Sequence, residues 1–323
     1  MKKIIYWCIA LTAAVYGTAG AQDWKPTQSV EFVVPSGAGG AADQYGRAMG
    51  KVFEKLNLLN GQTWVAVNKP SGTGVIALQA LQQKPGNAHI ITLLHTGIVI
   101  SNLAGELKPV PSDFTEVALF LKETMAVTVR ADSTITNGPD LVKALKRDPA
   151  SVRFGYIGHH VLMSLVKPLK AAGVDITKLT LVPFRSSAEA LTALLGGHVD
   201  AVPGSTPNLV SALSSGRVRA LAISSPERLG GTFASIPTWR EQGVNASFTS
   251  VYGVMLPPGV PPEAARFWEN AFQQLSKDPE WLALLERNGA KPFYQDRQQT
   301  VTYFVKEREE LAPLVKELGL GAK

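Results

Sequence analysis

The segment VVPSGAGGAADQYGRAMG, residues 33–50, holds the residue types most suited to binding chemistry. Gly37, Gly39 and Gly40 follow a short apolar run and a proline, and a helical pattern begins near Ala41. Glycines let a backbone turn tightly and approach a ligand closely. The first N–H groups of a helix lack intrahelical acceptors, so they favour a carboxylate or phosphate. The segment therefore predicts an anion-binding loop; the alternative is a turn that only packs a helix against a strand.

Asp43 falls in the first turn of this predicted helix. It can cap neighbouring N–H groups, or it can hold a water or a ligand hydroxyl. Residues 37–42 also fit the G-x-G-x-x-A dinucleotide fingerprint, which requires an acidic residue at the end of the next strand. That strand ends in Asn68 and Lys69 instead, so the sequence disfavours a nicotinamide cofactor, and no cofactor is expected.

Four further residues with polar side chains, from Tyr156 to Arg185, are candidates for ligand contacts. His159 and His160 are adjacent, but no cysteine or paired acids stand at ligand-like spacing, so no metal site is expected. One of these histidines could instead contact a carboxylate, or both could be exposed. Arg185 could hold a carboxylate bidentately or form a surface salt bridge. Tyr156 could stack on a flat ligand or fill a cleft, whereas Trp239, Trp268 and Trp281 lie on predicted helices and are expected to pack.

Catalytic motifs are not found. The sequence contains no G-x-S-x-G nucleophile elbow, no P-loop and no HExxH. We therefore expect a binding protein and not an enzyme, with an exported hydrolase as the alternative.

The N-terminus has the pattern of a cleavable export signal. Lys2 and Lys3 precede a mostly apolar stretch over residues 4–15, and Ala19 and Ala21 form an A-x-A site. This pattern predicts cleavage after Ala21 and a periplasmic protein, because the apolar run is short for a membrane anchor. Cleavage would remove the single cysteine, so no disulfide or thiol chemistry is expected in the mature chain.

Composition indicates a globular protein with a sizeable core. The 323 residues are 45% hydrophobic and 18% charged, which suits one large domain or two lobes. The formal charge of +6 falls to +4 without Lys2 and Lys3. The basic residues are scattered and not interleaved with aromatic ones, so nucleic acid is not an expected partner.

Strand-like and helix-like segments alternate along most of the chain. Strands are predicted at 30–35, 63–68, 89–94, 124–130, 152–158, 179–184, 199–204 and 218–225. Helices are predicted at 43–56, 75–83, 138–149, 161–173 with a kink at Pro168, 187–197, 208–216, 257–276, 278–289 and 297–320. This alternation is typical of βαβ units and mainly parallel sheets. Two α/β lobes and a late helical block suggest a ligand cleft between the lobes.

Six motifs, in order, resemble the substrate-binding proteins of tripartite tricarboxylate transporters, the TctC or Bug family. FVVPSGAGGAAD is similar to the family's VPF-x-PGG-x-x-D opening, and VAVNKPSGTGVIALQAL is similar to its second strand and helix. LVPFRSSAEALTALLGGHVDA is the most specific likeness, to a motif containing LLGG-x-VD. The segments SDFTEVALF, SSGRVRALA and VYGVMLPPG complete a series that covers nearly all of the mature chain.

This resemblance implies a type II periplasmic-binding-protein fold, a two-lobed Venus flytrap with two mixed, mainly parallel sheets flanked by helices. After the signal peptide, residues 1–21, it implies a first lobe of 22–127 plus 251–323 and a second lobe of 128–250. It also implies capture of a small carboxylate and its delivery to the permease subunits of a tripartite transporter, by a protein expected to be a monomer. A ligand-loaded binder that docks on a sensor kinase is the alternative, because both roles need the same closed cleft.

Carried over by position, the resemblance and the residue types give one set of ligand-binding candidates: Ser36, Gly39, Gly40, Ala41, Ala42, Asp43, His95, Thr96, Gly97, Tyr156, His159, Arg185, Ser205 and Thr206. Two loops depart from the family pattern. Ser36 stands where phenylalanine is usual, Tyr156 stands where serine is usual, and His159 and His160 replace small polar residues.

Overall fold

The computed structural model describes residues 24–71 and 74–320. The expected signal peptide, residues 1–21, lies outside these ranges. Within them the chain forms two mixed β-sheets flanked by helices, as the sequence predicted.

The first sheet has six strands in the order β11-β4-β10-β3-β1-β2. These strands are β1 (Val30–Val34), β2 (Trp64–Asn68), β3 (Ile90–His95), β4 (Thr115–Glu123), β10 (Ser250–Leu256) and β11 (Lys291–Gln295). The second sheet has five strands in the order β7-β6-β8-β5-β9. These are β5 (Met125–Arg130), β6 (Arg153–Tyr156), β7 (Thr180–Pro183), β8 (Ala201–Ser205) and β9 (Val218–Ile223).

Ten α-helices lie in the described ranges. Seven are interleaved with the strands up to β9: α1 (Ala41–Lys55), α2 (Val75–Gln82), α3 (Thr96–Leu103), α4 (Gly138–Arg147), α5 (Gly158–Ala171), α6 (Ser187–Leu195) and α7 (Thr206–Ser214). Three follow β10: α8 (Pro262–Leu275), α9 (Pro279–Arg287) and α10 (Arg297–Glu317). No helix in the described part of the chain is both long and apolar enough to cross a membrane.

The sheets are less parallel than the sequence predicted. Strand β1 pairs in parallel with β2 and β3, and β6 pairs in parallel with β7 and β8. The other pairings are antiparallel, and they all involve β4, β5 or β10. The physical reason is topological: these strands carry the chain between the sheets or follow such a passage, so no βαβ crossover sets their direction.

The chain passes from one sheet to the other at two places. Only Thr124 separates the end of β4 in the first sheet from the start of β5 in the second. The return runs from the end of β9 to Ser250, where β10 re-enters the first sheet. Phe248 N–H donates a hydrogen bond to the Ser224 carbonyl at 2.7 Å, which holds this return segment beside the end of β9.

The local sequence explains the elements that position the connection between β1 and α1, which we call the first loop. Strand β1 is apolar on both faces because helices cover both sides of its sheet, and Phe32, Val33 and Val34 are fully buried. Helix α1 places Tyr45, Met49 and other apolar residues on one face at helical spacing, and this face is buried against the sheet.

Two helices belong to the cores of both sheets. Ile98 of α3 packs in a cluster with the first sheet, whereas Ile100 packs with the second. Phe304 of α10 packs with the first sheet, whereas Leu311 and Val315 pack with the second.

The surroundings of the predicted helical tryptophans and of Pro168 differ in part from the sequence predictions. Trp239 lies in a turn and not on a helix, because Pro237 and Gly243 interrupt that segment. Its ring is nevertheless fully buried, as are those of Trp268 on α8 and Trp281 on α9. Pro168 lies inside α5, which continues to Ala171.

Candidate functional site

The candidate site is built from connections that follow strand ends in both sheets. The imidazole of His95, at the end of β3, has its ring centroid 5.5 Å from that of His160 on α5 and 5.5 Å from that of Tyr252 on β10. Tyr252 and Ser205 both donate hydrogen bonds to Glu123, at 3.1 and 2.8 Å. We call these five residues the intersheet cluster, because they come from the parts of the chain that form both sheets. Ser205 ends β8 of the second sheet and His160 lies on α5, whereas Glu123, His95 and Tyr252 lie on strands of the first sheet.

The first loop is shaped for tight turning at Gly39. Gly39 has φ +78°, a left-handed conformation that a side chain would strain. Gly40 has φ −69° and is the N-cap of α1, without a capping side chain. Within residues 24–71 and 74–320, the N–H groups of Ala41 and Ala42 have no hydrogen-bond acceptor, so the start of α1 presents free donors.

Asp43 organises this loop from inside. Its carboxylate accepts hydrogen bonds from Gly39 N–H at 2.9 Å, from Arg47 Nε at 3.0 Å and from Asn68 Nδ2 at 3.0 Å. Burial alone would raise the pKa of Asp43, but the bonds from Arg47, Gly39 and Asn68 lower it on balance. The hydrogen bonds of Asp43 are therefore used to hold the shape of the loop. Ser36, whose hydroxyl makes only a 3.5 Å contact with Gly37, is the more available polar side chain.

His95 is fixed as a neutral cap. Its Nδ1 accepts a hydrogen bond from Gly97 N–H at 3.1 Å, so Nε2 carries the ring proton. Its ring stacks on Tyr252 with an interplanar angle of 19°. Burial lowers the pKa of His95 to about 4, so the imidazole is uncharged near neutral pH.

His160 and His159 bring the start of α5 against α3. His160 meets His95 edge to face, and burial, together with the neighbouring His95 and His159, lowers the pKa of His160 to about 3. His159 Nε2 lies 2.8 Å from Glu106 Oε2, in the connection after α3. Both histidines have a buried Nδ1 without a hydrogen-bond partner among the described residues.

Besides that of Ser205, two further predicted ligand hydroxyls are already used by the fold. Thr96 Oγ1 donates to Glu307 Oε1 at 2.8 Å and accepts from Val251 N–H at 3.0 Å. Thr206 Oγ1 donates to the Thr124 carbonyl at 3.1 Å, directly at the passage between the sheets. These side chains hold the connections in place.

Glu123 is the buried carboxyl group of the intersheet cluster. Its side chain is fully buried at the end of β4, and both hydroxyl donors bind Oε2. Its Oε1 has no partner among the described residues, and neither has the buried Oγ of Ser250, which stands opposite Glu123 in the β4–β10 register. Burial raises the pKa of Glu123 to about 7, although the hydrogen bonds from Ser205 and Tyr252 act in the opposite direction.

Tyr156 and Arg185 differ in their exposure to solvent. Tyr156 ends β6 and is half-buried, and burial followed by the charge of Glu106 raises its pKa. Arg185 is exposed beyond β7, and its backbone N–H donates to Glu189 at 3.0 Å. Its guanidinium forms no salt bridge with any described residue, and the structure does not join it to the intersheet cluster.

Two surface grooves lie away from the intersheet cluster. A groove of about 390 Å³ lies beside Leu213 and Ile236, and one of about 470 Å³ lies between Lys51 and Leu284. Among the described residues, no three His, Cys, Asp or Glu side chains are grouped to hold a metal ion.

Sequence reasoning did not single out Glu123, Tyr252 or Ser250. Glu123 is the last residue of β4, two positions after the buried apolar run at residues 117–121 and immediately before the chain changes sheets. An acidic residue in that position was the available signal. Tyr252 and Ser250 gave none, since their partners are distant in the sequence.

Comparison with known proteins identifies a family that this chain matches over most of its length. The family model described as the tripartite tricarboxylate transporter family receptor matches residues 50–320. A UPF0065 protein of Agrobacterium vitis is 26% identical, over 96% of this chain and 90% of its own length.

Solved structures agree in fold. A TctC solute-binding protein from Polaromonas is 25% identical with a TM-score of 0.67, covering 91% of this chain and 99% of that one. The R. palustris protein Rpa4515, solved with adipate, is 24% identical with a TM-score of 0.80, covering 91% and 98%.

Proposed function

The chain belongs to the tripartite tricarboxylate transporter receptor family, and we propose that it is an extracytoplasmic solute-binding protein that captures a small carboxylate between its two sheets. It would deliver this solute to the membrane permease of a tripartite transporter. The observation that carries the proposal is the intersheet cluster, in which strand-end connections from both sheets meet.

The start of α1 supports binding of a carboxylate. The free N–H groups of Ala41 and Ala42 point from a glycine-rich turn, and the helix dipole favours negative charge there. The N–H groups of His159 and His160 also lack acceptors among the described residues, so α5 offers similar donors from the other sheet. The R. palustris relative solved with adipate is consistent with this ligand class.

Closure of two lobes is the proposed mechanism. The lobes comprise residues 22–127 plus 251–323 and residues 128–250, and they rotate about the two passages between the sheets. A carboxylate would land on the loop from Ser36 to Ala42, and Tyr156, His159 and Arg185 would approach from the second lobe. A ligand drives this closure only to the extent that it binds the closed state more tightly.

Export completes the proposal. The N-terminal segment would be removed after Ala21, which leaves a periplasmic protein without cysteine. Its closed form would be the one that the permease recognises.

A thermal-shift screen of residues 22–323 tests the function. The panel contains mono-, di- and tricarboxylates, amino acids and aromatic acids, with the matching alcohols and amides as controls. A ligand at 100 times its Kd stabilises the native state by about 2.7 kcal/mol, which corresponds to roughly 5 °C.

We expect a saturable shift with one carboxylate class and none with the uncharged controls. A folded protein that responds to no carboxylate would refute the proposed capture of carboxylates.

A further inference from the structure

The groove of about 470 Å³ between α1 and α9 takes no part in the intersheet cluster. Helix α1 lines it with Arg47, Ala48 and Lys51, and α9 lines it with Leu284 and Arg287. These positions are three or four residues apart on each helix, so each set lies on one helical face. The groove is therefore bounded by one face of each helix.

The floor of the groove is apolar. Val52 and Trp281 line it from a buried position, with exposed fractions of 3% and 1%. Ala48 and Leu284 are half-buried, and Ala283 is exposed. Apolar surface that stays open between two helices suits the apolar face of a docking segment.

The acidic residue that lines the groove is neutralised by the chain itself. Glu280 Oε1 lies 2.8 Å from Nζ of Lys55, the last residue of α1. The same ammonium group lies 2.7 Å from Oδ2 of Asp278, the N-cap of α9. These ion pairs join the two helices and leave the groove without an unpaired acidic side chain among its described lining residues.

Two cations on the rim of the groove are not neutralised in this way. Lys51 and Arg287 are exposed, and neither forms a salt bridge with any residue of 24–71 or 74–320. Arg47, which pairs with Asp43, adds a third positive group, and 52% of its side chain stays exposed. The groove thus combines an apolar floor with a positive rim, which favours an anionic partner.

The groove also lies against the first loop. Gln44 lines the groove, and its Nε2 donates a hydrogen bond to the Gly39 carbonyl at 3.1 Å. Arg47 lines the groove too, and its Nε donates to Asp43 at 3.0 Å. A partner in the groove would therefore touch two of the side chains that hold the loop in its observed shape.

We propose that the groove between α1 and α9 is a docking surface for an acidic amphipathic segment of a partner protein. Aliphatic side chains of this segment cover the floor, and its carboxylates pair with Lys51 and Arg287. In the proposed function the partner is the permease. That identification rests on the proposed function, whereas the docking surface itself does not.

Other occupants match the groove less completely. A small inorganic anion pairs with the rim but leaves the apolar floor in water. An uncharged apolar segment covers the floor but desolvates two cations without a counter-charge, which costs free energy. An acidic amphipathic segment satisfies both parts of the groove, in the way that amphipathic helices bind in grooves of other proteins.

Fluorescence polarisation with labelled peptides tests the chemistry of the partner. The probe is fluorescein-ELLEELLEELLE-amide, in which the leucines recur at helical spacing. One control peptide has glutamine in place of every glutamate, and the other has serine in place of every leucine. We expect residues 22–323 to bind the probe about tenfold or more tightly than either control, with an affinity that falls as salt is raised.

A charge-reversal variant tests the location. Lys51→Glu combined with Arg287→Glu reverses both unpaired cations of the rim. Lys143→Glu combined with Arg147→Glu, at exposed positions of α4, changes the net charge by the same amount elsewhere. We expect the first variant to lose about tenfold or more in affinity for the probe and the second less than about threefold. Melting temperatures check that both variants fold.

A dye in the groove gives a second readout. Residues 22–323 contain no cysteine, so Ala283→Cys can be labelled at that position alone with an environment-sensitive fluorophore. We expect its emission to move to shorter wavelength when the probe docks, because water is excluded. Ala150→Cys, at an exposed position after α4, carries the same dye and should not respond.

The outcomes separate this proposal from the proposed function. The docking surface is refuted if the probe does not bind, if either control peptide binds as tightly, or if both charge-reversal variants lose affinity equally. The last result would mean that a basic protein attracts an acidic peptide without a defined site. Carboxylate capture is then unaffected, because it has its own screen. A negative carboxylate screen together with a localised peptide site would refute the proposed function and leave the docking surface.

Discussion

Glu106 and His159 join the two halves of the molecule across a distance of 2.8 Å between Oε2 and Nε2. Glu106 follows α3, which packs against both sheets, and His159 lies in the first turn of α5, which packs against the second sheet. The pair lies at the edge of the candidate site, because the neighbouring His160 meets His95. It is therefore placed to hold the start of α5 in its observed position.

Removing this contact should favour an open form. We expect Glu106→Gln to weaken binding of the screened ligand by about two- to fivefold, mainly through faster dissociation, because a partly exposed pair contributes about 1 kcal/mol or less. Stopped-flow measurement of the dissociation rate checks this. Glu309→Gln, at an exposed position on α10, is the matched control, and equal rates in the two variants would remove Glu106 from the mechanism.

Asp43→Asn tests whether the first loop is held from inside. The variant loses charge-assisted bonds from Arg47 and a bond from Gly39, so we expect a loss of about 1–3 kcal/mol in stability and weaker ligand binding. Thermal unfolding and titration measure the two effects. Asp132→Asn breaks an exposed pair with Arg130 and should change neither. Unaltered binding by Asp43→Asn would show that loop shape is unimportant.

Gly97→Ala tests the packing of the two imidazoles. A Cβ at Gly97 would lie 2.6 Å from His95 Cε1 and 3.0 Å from His160 Nδ1, so the rings must move. We expect a loss of about 1–3 kcal/mol and reduced ligand affinity, although alanine usually favours a helix. Gly230→Ala, where the added Cβ meets no atom within 4 Å, should unfold like the wild type. A stabilised Gly97→Ala variant would contradict this packing.

The histidines should make stability sensitive to acid. The folded-state pKa of His160 is about 3, below the unfolded value of 6.5, so the unfolded chain takes up a proton first as pH falls. His160 therefore costs stability below about pH 6.5, by about 1 kcal/mol at pH 5, because its ring is not completely shielded from water. The difference in stability between His160→Asn and wild type should shift in favour of the variant from pH 7.5 to pH 5.

Denaturant melts at several pH values measure that difference. Glu123 has the opposite sign: its folded pKa of about 7 lies above the ordinary 4.5, so its contribution is lost as pH rises from about 4.5 to 7. Because Glu123 is present in both proteins, its contribution cancels in the difference between the free energies of unfolding of the variant and the wild type. A pH-independent difference would mean that His160 is solvated.

The periodicity of the sequence predicted most elements, for reasons visible in particular segments. The helix expected at 187–197 is α6, Ser187–Leu195, and the strand expected at 218–225 is β9, Val218–Ile223. Residues that commonly end such elements follow both: two glycines come after α6, and two serines come after β9. Strand β4 was not predicted from the pattern, because its apolar residues 117–121 are consecutive and show no alternation with polar residues that would mark a strand.

The candidate site was only partly accessible from the sequence. Gly39 and the start of α1 follow from local rules about glycine and helix ends. The partners of Thr96 could not be predicted, since Glu307 stands 211 residues away and is brought in by α10. The same holds for Glu123, whose meaning depends on Ser205 and Tyr252 arriving from other strands.

Helix α10 acts as a mechanical tie between the two halves. Its Phe304 end is anchored in the core of the first sheet and its Leu311–Val315 end in that of the second, so separating the sheets must either uncover apolar surface or bend the helix. Pro313 lies between the second pair of anchors and removes one backbone hydrogen bond, which makes bending least costly there. In the proposed closure of the two lobes, the energy needed to part the sheets would therefore depend partly on α10, a helix that contributes no residue to the intersheet cluster.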